Sequence, residues 1–138
     1  MTQISMRTTL RAPACEVWKT IRDFSRVGDY VAGINQCVSE GSGVGALRTL
    51  TLRNDARVVE RLECLDDRAR TLSYSVLETP LPMKGYVATM TLRDKSDGQC
   101  ELSWESTFQA EAADEARIKR IIEKLYALGF EGLKRLHE

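Results

Sequence analysis

Histidine occurs once in this chain, as His137 beside the last residue. A metal site built on imidazoles, a Cys-His pair and a Ser-His pair all need a histidine within the fold, so that scarcity removes much of the hydrolase repertoire. Cys15, Cys37, Cys64 and Cys100 lie far apart and form no C-x-x-C pair. Such spacing fits free thiols in a reducing compartment. Net charge is also missing, with 20 Lys and Arg against 20 Asp and Glu. The basic residues are evenly spread and stacking aromatics are few, which argues against nucleic acid or an anionic membrane as the main partner. No apolar run approaches the ~20 residues of a membrane span. Met1-Thr2-Gln3-Ile4 lacks the basic and apolar regions of a signal peptide. Gly41, Gly43 and Gly45 suggest a phosphate loop, but no Lys-Ser/Thr follows and the next element reads as a strand. The expectation is a cytoplasmic protein without metal or other cofactor.

What is present is an ordinary globular composition of 138 residues, 43% hydrophobic and 29% charged, enough for one domain over 1–138 with its own core. The last quarter organises it. From Asp114 to Leu136, apolar residues fall at Ile118, Ile121, Ile122, Leu125, Leu128, Leu133 and Leu136, with Gly129 and Gly132 in the same stripe. That spacing predicts an amphipathic helix roughly 35 Å long, whose single apolar face needs a broad partner.

Strands supply the partner. Ile4–Leu10 alternates as a strand. Pro13 then opens a helix at its first position, with Ala14, Val17, Trp18 and Ile21 as the buried stripe, and Ser25 caps a second short helix through Tyr30. Six further strands are expected at Ile34–Glu40, Ala46–Arg53, Arg57–Leu65, Thr71–Leu77, Lys84–Leu92 and Cys100–Phe108, separated by turn residues. An α+β fold follows: a curved antiparallel seven-stranded sheet wrapped around the long C-terminal helix, with two short helices after the first strand.

Four stretches carry a family likeness over essentially the whole length: Ala12-Pro13 to Phe24, Gly43-Val44-Gly45-Ala46-Leu47-Arg48, Glu60 to Asp67, and Trp104-Glu105-Ser106-Thr107-Phe108. With this element order the chain resembles the helix-grip superfamily of START domains and birch-pollen allergens (SRPBCC). That superfamily includes bacterial polyketide cyclase/dehydrase-type proteins and plant abscisic-acid receptors. The resemblance implies a large cavity between sheet and helix for an apolar ligand. It further implies polar, often water-mediated ligand contacts at the positions of Glu60 and Tyr86.

Alternation assigns faces, since residues i and i+2 share one. Arg48, Leu50 and Leu52 share a side, as do Glu60, Leu62 and Cys64, then Leu72, Tyr74 and Val76. Tyr86, Ala88, Met90 and Leu92 form a further set, and Leu102, Trp104, Ser106 and Phe108 the last. Arg48 and Glu60 thus fall among aliphatic residues, where a charge must be paired with the other or with a bound group. The expected ligand-binding set is Asn35, Leu50, Leu62, Tyr74, Met90, Trp104, Phe108, Ile122 and Leu125. Compared with the receptors, Asn35 stands where the resemblance places a hormone-binding lysine. Arg53-Asn54-Asp55-Ala56 replaces the gate, and Leu81-Pro82-Met83 replaces the latch. A phosphatase-docking hormone receptor is therefore not expected.

Two functions remain. One is a binding module for an apolar or aromatic small molecule, polyketide- or lipid-like, acting as a monomer or weak homodimer. The other is a cofactor-independent cyclase/aromatase-type enzyme, with Glu60 as general base and Tyr86 and Arg48 stabilising an enolate oxygen. A structural ion pair for Arg48 and Glu60, and core packing for Tyr86, Trp104, Tyr74 and Tyr126, are the plainer alternatives. Direct contact between Arg48 and Glu60 favours binding; a Glu60 standing apart favours the enzyme. A protein-interaction module with a filled cavity is the third possibility.

Overall fold

The computed structural model describes residues 1–138. Strand β1 (Thr2–Leu10) leads into helix α1 (Ala14–Ile21), a 3-10 turn (Phe24–Arg26) and helix α2 (Val27–Tyr30). Six strands follow: β2 (Ile34–Glu40), β3 (Leu47–Leu52), β4 (Arg57–Asp66), β5 (Thr71–Glu78), β6 (Met83–Asp94) and β7 (Cys100–Ala110). The chain closes with helix α3 (Ala112–His137). All neighbours are antiparallel, in the order β1-β7-β6-β5-β4-β3-β2. The six later strands are therefore a meander, and β1 returns to pair with β7, Leu10 opposite Cys100. This is the helix-grip arrangement. No helix is long and apolar enough to cross a membrane.

Helix α3 buries Ile118, Ile122, Tyr126, Phe130 and Leu133. The expected stripe omitted Tyr126 and Phe130 and included Leu136, which is exposed. Two glycines fix how closely the helix packs. A Cβ on Gly132 would stand 1.7 Å from the Tyr30 carbonyl oxygen, and one on Gly129 would stand 2.7 Å from Cζ3 of Trp104. No side chain fits at either contact.

The first helix begins one residue later than expected. Pro13 is its N-cap, extended at φ −66° and ψ 145°, rather than its first helical residue. Asp23, not Ser25, caps the following turn, its carboxylate accepting from the Ser25 amide at 3.1 Å. Helix α1 closes one end of the sheet through hydrogen bonds to three elements. Trp18 Nε1 donates to Asp67 on the β4–β5 turn at 2.9 Å, and the Ala14 amide donates to Asp94 at the end of β6 at 3.2 Å. Thr20 Oγ1 pairs with His137 Nε2 of α3 at 2.9 Å.

The register is broken at several places. A shift between Leu62 and Cys64 turns Cys64 outward, where it is exposed, so the expected inward set on β4 ends at Leu62. All four cysteines are free.

Candidate functional site

At the end of the sheet away from α1, a cavity of about 250 Å³ lies between β3–β7, α2 and α3. Of its 22 lining residues, 17 are hydrophobic, so an occupant must be mostly apolar. Ile121, Ile122 and Leu125 of α3 form one wall, and Leu50, Leu52, Val58 and Val76 of the sheet form the opposite one. Asn54 and Ala56 of the β3–β4 turn, with Thr79, Pro80 and Leu81 of the β5–β6 loop, surround the mouth.

Arg48 and Glu60 face each other directly in the β3–β4 register. The Nε and Nη2 groups of Arg48 both lie 2.7 Å from Glu60 Oε1, and Nη1 donates to the Phe24 carbonyl at 3.0 Å. The guanidinium packs against two aromatic rings that are tilted to one another, 3.8 Å from the centre of Phe24 and 4.8 Å from that of Tyr74. Such stacking suits the weakly hydrated planar cation. Burial works to lower the Arg48 pKa, but the charge and hydrogen bond of Glu60, joined by Tyr30 and Tyr74, together outweigh it and hold the group above its ordinary value. Arg48 is therefore a fixed cation with its charge already answered. Glu60 Oε2 has no protein hydrogen-bond partner, and Glu60 lines the cavity.

A second polar group adjoins the first through Tyr74. The Tyr86 and Tyr126 hydroxyls hydrogen-bond to each other, and Trp104 Nε1 donates to the Tyr74 hydroxyl at 3.2 Å. Trp104 stacks on Tyr126 with ring centres 4.1 Å apart. The Ser106 hydroxyl is buried near Tyr126 but makes no hydrogen bond of acceptable geometry. Burial pushes the Tyr30 hydroxyl to about 12 and holds Tyr74, Tyr86 and Tyr126 well above their usual range. At neutral pH these tyrosines are neutral hydroxyls and not phenolate bases.

The structure brings Arg48, Glu60, Tyr86, Leu50, Tyr74, Trp104, Ile122 and Leu125 to this cavity. The other four expected residues do not line it. Leu62, Met90 and Phe108 point inward as their phase requires, but they lie where the core is filled and are at most 2% exposed. Asn35 sits at a register shift between Ile34 and Gln36 on the edge strand β2, exposed to solvent. Sequence reasoning did not place at the cavity Val27 of α2, Val31 just after it, Tyr126 (read as core packing), or the mouth residues Asn54, Ala56 and Thr79. Tyr126 was detectable, four residues after Ile122 on the buried face. The mouth residues sit in turns and obey no periodicity.

An antiparallel sheet gripping a long helix around an apolar cavity with one internal ion pair defines a helix-grip, cavity-bearing protein. The chain belongs to the polyketide cyclase / dehydrase and lipid transport family, whose profile matches residues 1–138. Abscisic acid receptor PYL10 of Arabidopsis thaliana is 29% identical over 96 residues, covering 65% of this chain and 52% of the receptor. Abscisic acid receptor PYL2 of the same plant is 30% identical over 90 residues, covering 62% and 47%. The chain thus spans about half the length of these relatives. XoxI from Bacillus cereus superposes with a TM-score of 0.91 at 20% identity, covering 99% of this chain and 96% of that one. Norcoclaurine synthase from Thalictrum flavum, in complex with dopamine and hydroxybenzaldehyde, gives a TM-score of 0.82 at 15% identity, covering 98% and 85%. At these identities the two structures show a shared fold.

Proposed function

We propose that this protein binds a compact apolar or aromatic small molecule in the cavity between sheet and α3. The observation that carries the reading is the direct Arg48–Glu60 contact at 2.7 Å inside an otherwise apolar chamber. An oxyanion stabiliser must have donors free at the reacting oxygen. Arg48 has Nε and Nη2 engaged by Glu60 and Nη1 engaged by the Phe24 carbonyl, and Tyr86 is engaged by Tyr126. The groups that a cyclase would need are bound to each other, which supports a binding module over Glu60-based catalysis. Fold likeness adds nothing here, since one fold hosts both activities.

Size and charge narrow the ligand. An apolar cavity of ~150 Å³ admits benzene, so about 250 Å³ suits one or two rings better than a long acyl chain. No unpaired cation lines the chamber, while one Glu60 oxygen is free, so a hydroxyl or N–H donor is favoured over a carboxylate. The test is native mass spectrometry of protein taken from its own host, with the denatured mass as reference. The expected result is a released aromatic adduct. Bare protein that nevertheless turns over polyketide-like carbonyl compounds, with Glu60→Gln inactive, would establish the enzyme instead.

A further inference from the structure

We infer that the splayed end of the β5–β6 hairpin is a second, polar compartment of the ligand site, and that the ligand carries a neutral amide- or hydroxyl-bearing arm on its apolar body. This rests on the proposed cavity function and extends it. The β5–β6 ladder runs from Thr71 opposite Thr91 to Ser75 opposite Val87 and stops there. In the same register four more rungs would follow, from Val76 opposite Tyr86 to Thr79 opposite Met83. Instead, those residues line an open cleft of about 450 Å³.

The opening is built into the sheet on both sides and is not fraying at a hairpin tip. On one side β5 keeps its outer neighbour to the end, with Glu60 opposite Val76 and Val59 opposite Glu78, which leaves Leu77 as an extra residue. On the other side Lys84 pairs with Gln109 and Val87 with Thr107, leaving an extra residue at Gly85–Tyr86, where Gly85 has φ +66°. Each strand therefore bulges at the point where the two part. A bulge bends its strand and ends pairing locally, so two bulges facing one another hold the gap open.

The cleft adjoins the inner cavity, since Val76, Thr79, Met83 and Tyr86 line both. Its chemistry differs. Unladdered strand edges present N–H donors and C=O acceptors in alternation, and Glu78 and Lys84 flank them, both exposed and neither in an ion pair. Opposite flanking charges cancel, and an edge that both donates and accepts matches a secondary amide or hydroxyl, which do the same. A ligand with rings against Trp104 and a polar arm between Val76 and Tyr86 would use both spaces.

Two probes test this on the unaltered protein: naphthalene and N-(2-hydroxyethyl)naphthalene-2-carboxamide, compared by affinity and by amide and indole NMR shifts. Both should move the Trp104 indole resonance. The armed probe should bind roughly tenfold tighter and should alone move the Leu77 and Lys84 amides. Equal affinities, or arm-dependent shifts confined to residues 53–56 at the mouth, would overturn the second compartment and leave the cavity reading standing. If neither probe moves Trp104, the cavity reading itself fails, and this inference with it.

Discussion

The two ends of the sheet are made from the same strands and the same alternation, yet one is filled and the other hollow. At the α1 end, Leu10, Ile21, Leu72, Leu92, Cys100 and Leu102 are at most 3% exposed, and burial pushes the Cys100 thiol to about 11. At the other end Val58, Val76, Met83 and Leu125 are only half-buried around the cavity. What differs is the cover. Helix α1 is tied across the first end by Trp18, Ala14 and Thr20, while the second is bordered by the short helix α2 and the β3–β4 and β5–β6 loops. Inward-facing strand residues thus become core or cavity lining according to what lies over the strand ends. Hollow-end residues lack packing partners on one side, which the proposed ligand would supply.

The largest expected effect tests whether the hollow end's ion pair serves stability. Arg48→Ala leaves Glu60 buried without its partner and should cost about 3–5 kcal/mol in urea unfolding. The pair Arg48→Met with Glu60→Leu should regain most of that stability, because replacing both buried charges by apolar groups is often neutral. It should also lose the preference for ligands with a hydroxyl or N–H donor. Unchanged donor preference in the double variant would show that the pair takes no part in recognition.

The comparison itself is tested by matched truncations. Leu102→Ala at the filled end should cost about 2–5 kcal/mol, the range for deleting a buried leucine side chain. Leu125→Ala at the hollow end should cost about 1 kcal/mol, since less of its side chain leaves water on folding, while weakening aromatic probe binding. Equal losses of stability would mean that the hollow end is packed as tightly as the filled one. Gly132→Ala comes next. It drives a methyl group into the Tyr30 carbonyl, parting α2 from α3 beside the cavity, and should cost about 1–3 kcal/mol as overpacking. A thermal melt on Gly132→Ala checks it, and an unchanged midpoint would mean that the helices are free to separate there.

Much of this division was legible in the sequence, and its limits have identifiable causes. Period-two alternation located all seven strands to within about two residues at most ends, and it placed Arg48 and Glu60 on one face. Their opposition in register follows from the two strands flanking a short turn. Bulges were not legible, because an extra residue is defined only against a paired partner. Cys64 therefore faces out, and the gap at Leu77 and Gly85 carries no local sign beyond a glycine. Leu62, Met90 and Phe108 share the inward phase of Tyr74 and Trp104, so no pattern within a strand separates core from cavity. That separation depends on where α1 docks, which rests on hydrogen bonds from Trp18, Ala14 and Thr20 to residues distant in sequence.

The smallest effect concerns the filled end and pH. His137 meets Thr20 at 2.9 Å and helps tie α3 to α1. Burial lowers its pKa from the ordinary 6.5, nearby Arg26 lowers it further, and Glu16 only partly opposes them. A depressed folded-state value means that the unfolded chain takes up the proton first as pH falls. The stabilising contribution is then complete above about pH 6.5 and is lost as pH drops through the folded value. Asp67, Glu63 and Glu138 are also held below their usual carboxylate values, by hydrogen bonds from Arg22, Ser75 and the Arg11 amide first among the causes. Their loss has the same sign but falls at lower pH, so a shallow decline in melting temperature between neutral and mildly acid pH belongs to His137. His137→Gln should flatten that decline and leave the steeper acid limb in place. Ligand affinity over the same range should stay constant, because no histidine lines the cavity at the other end. An affinity that fell in step with the melting temperature would show that the two ends are coupled through α3.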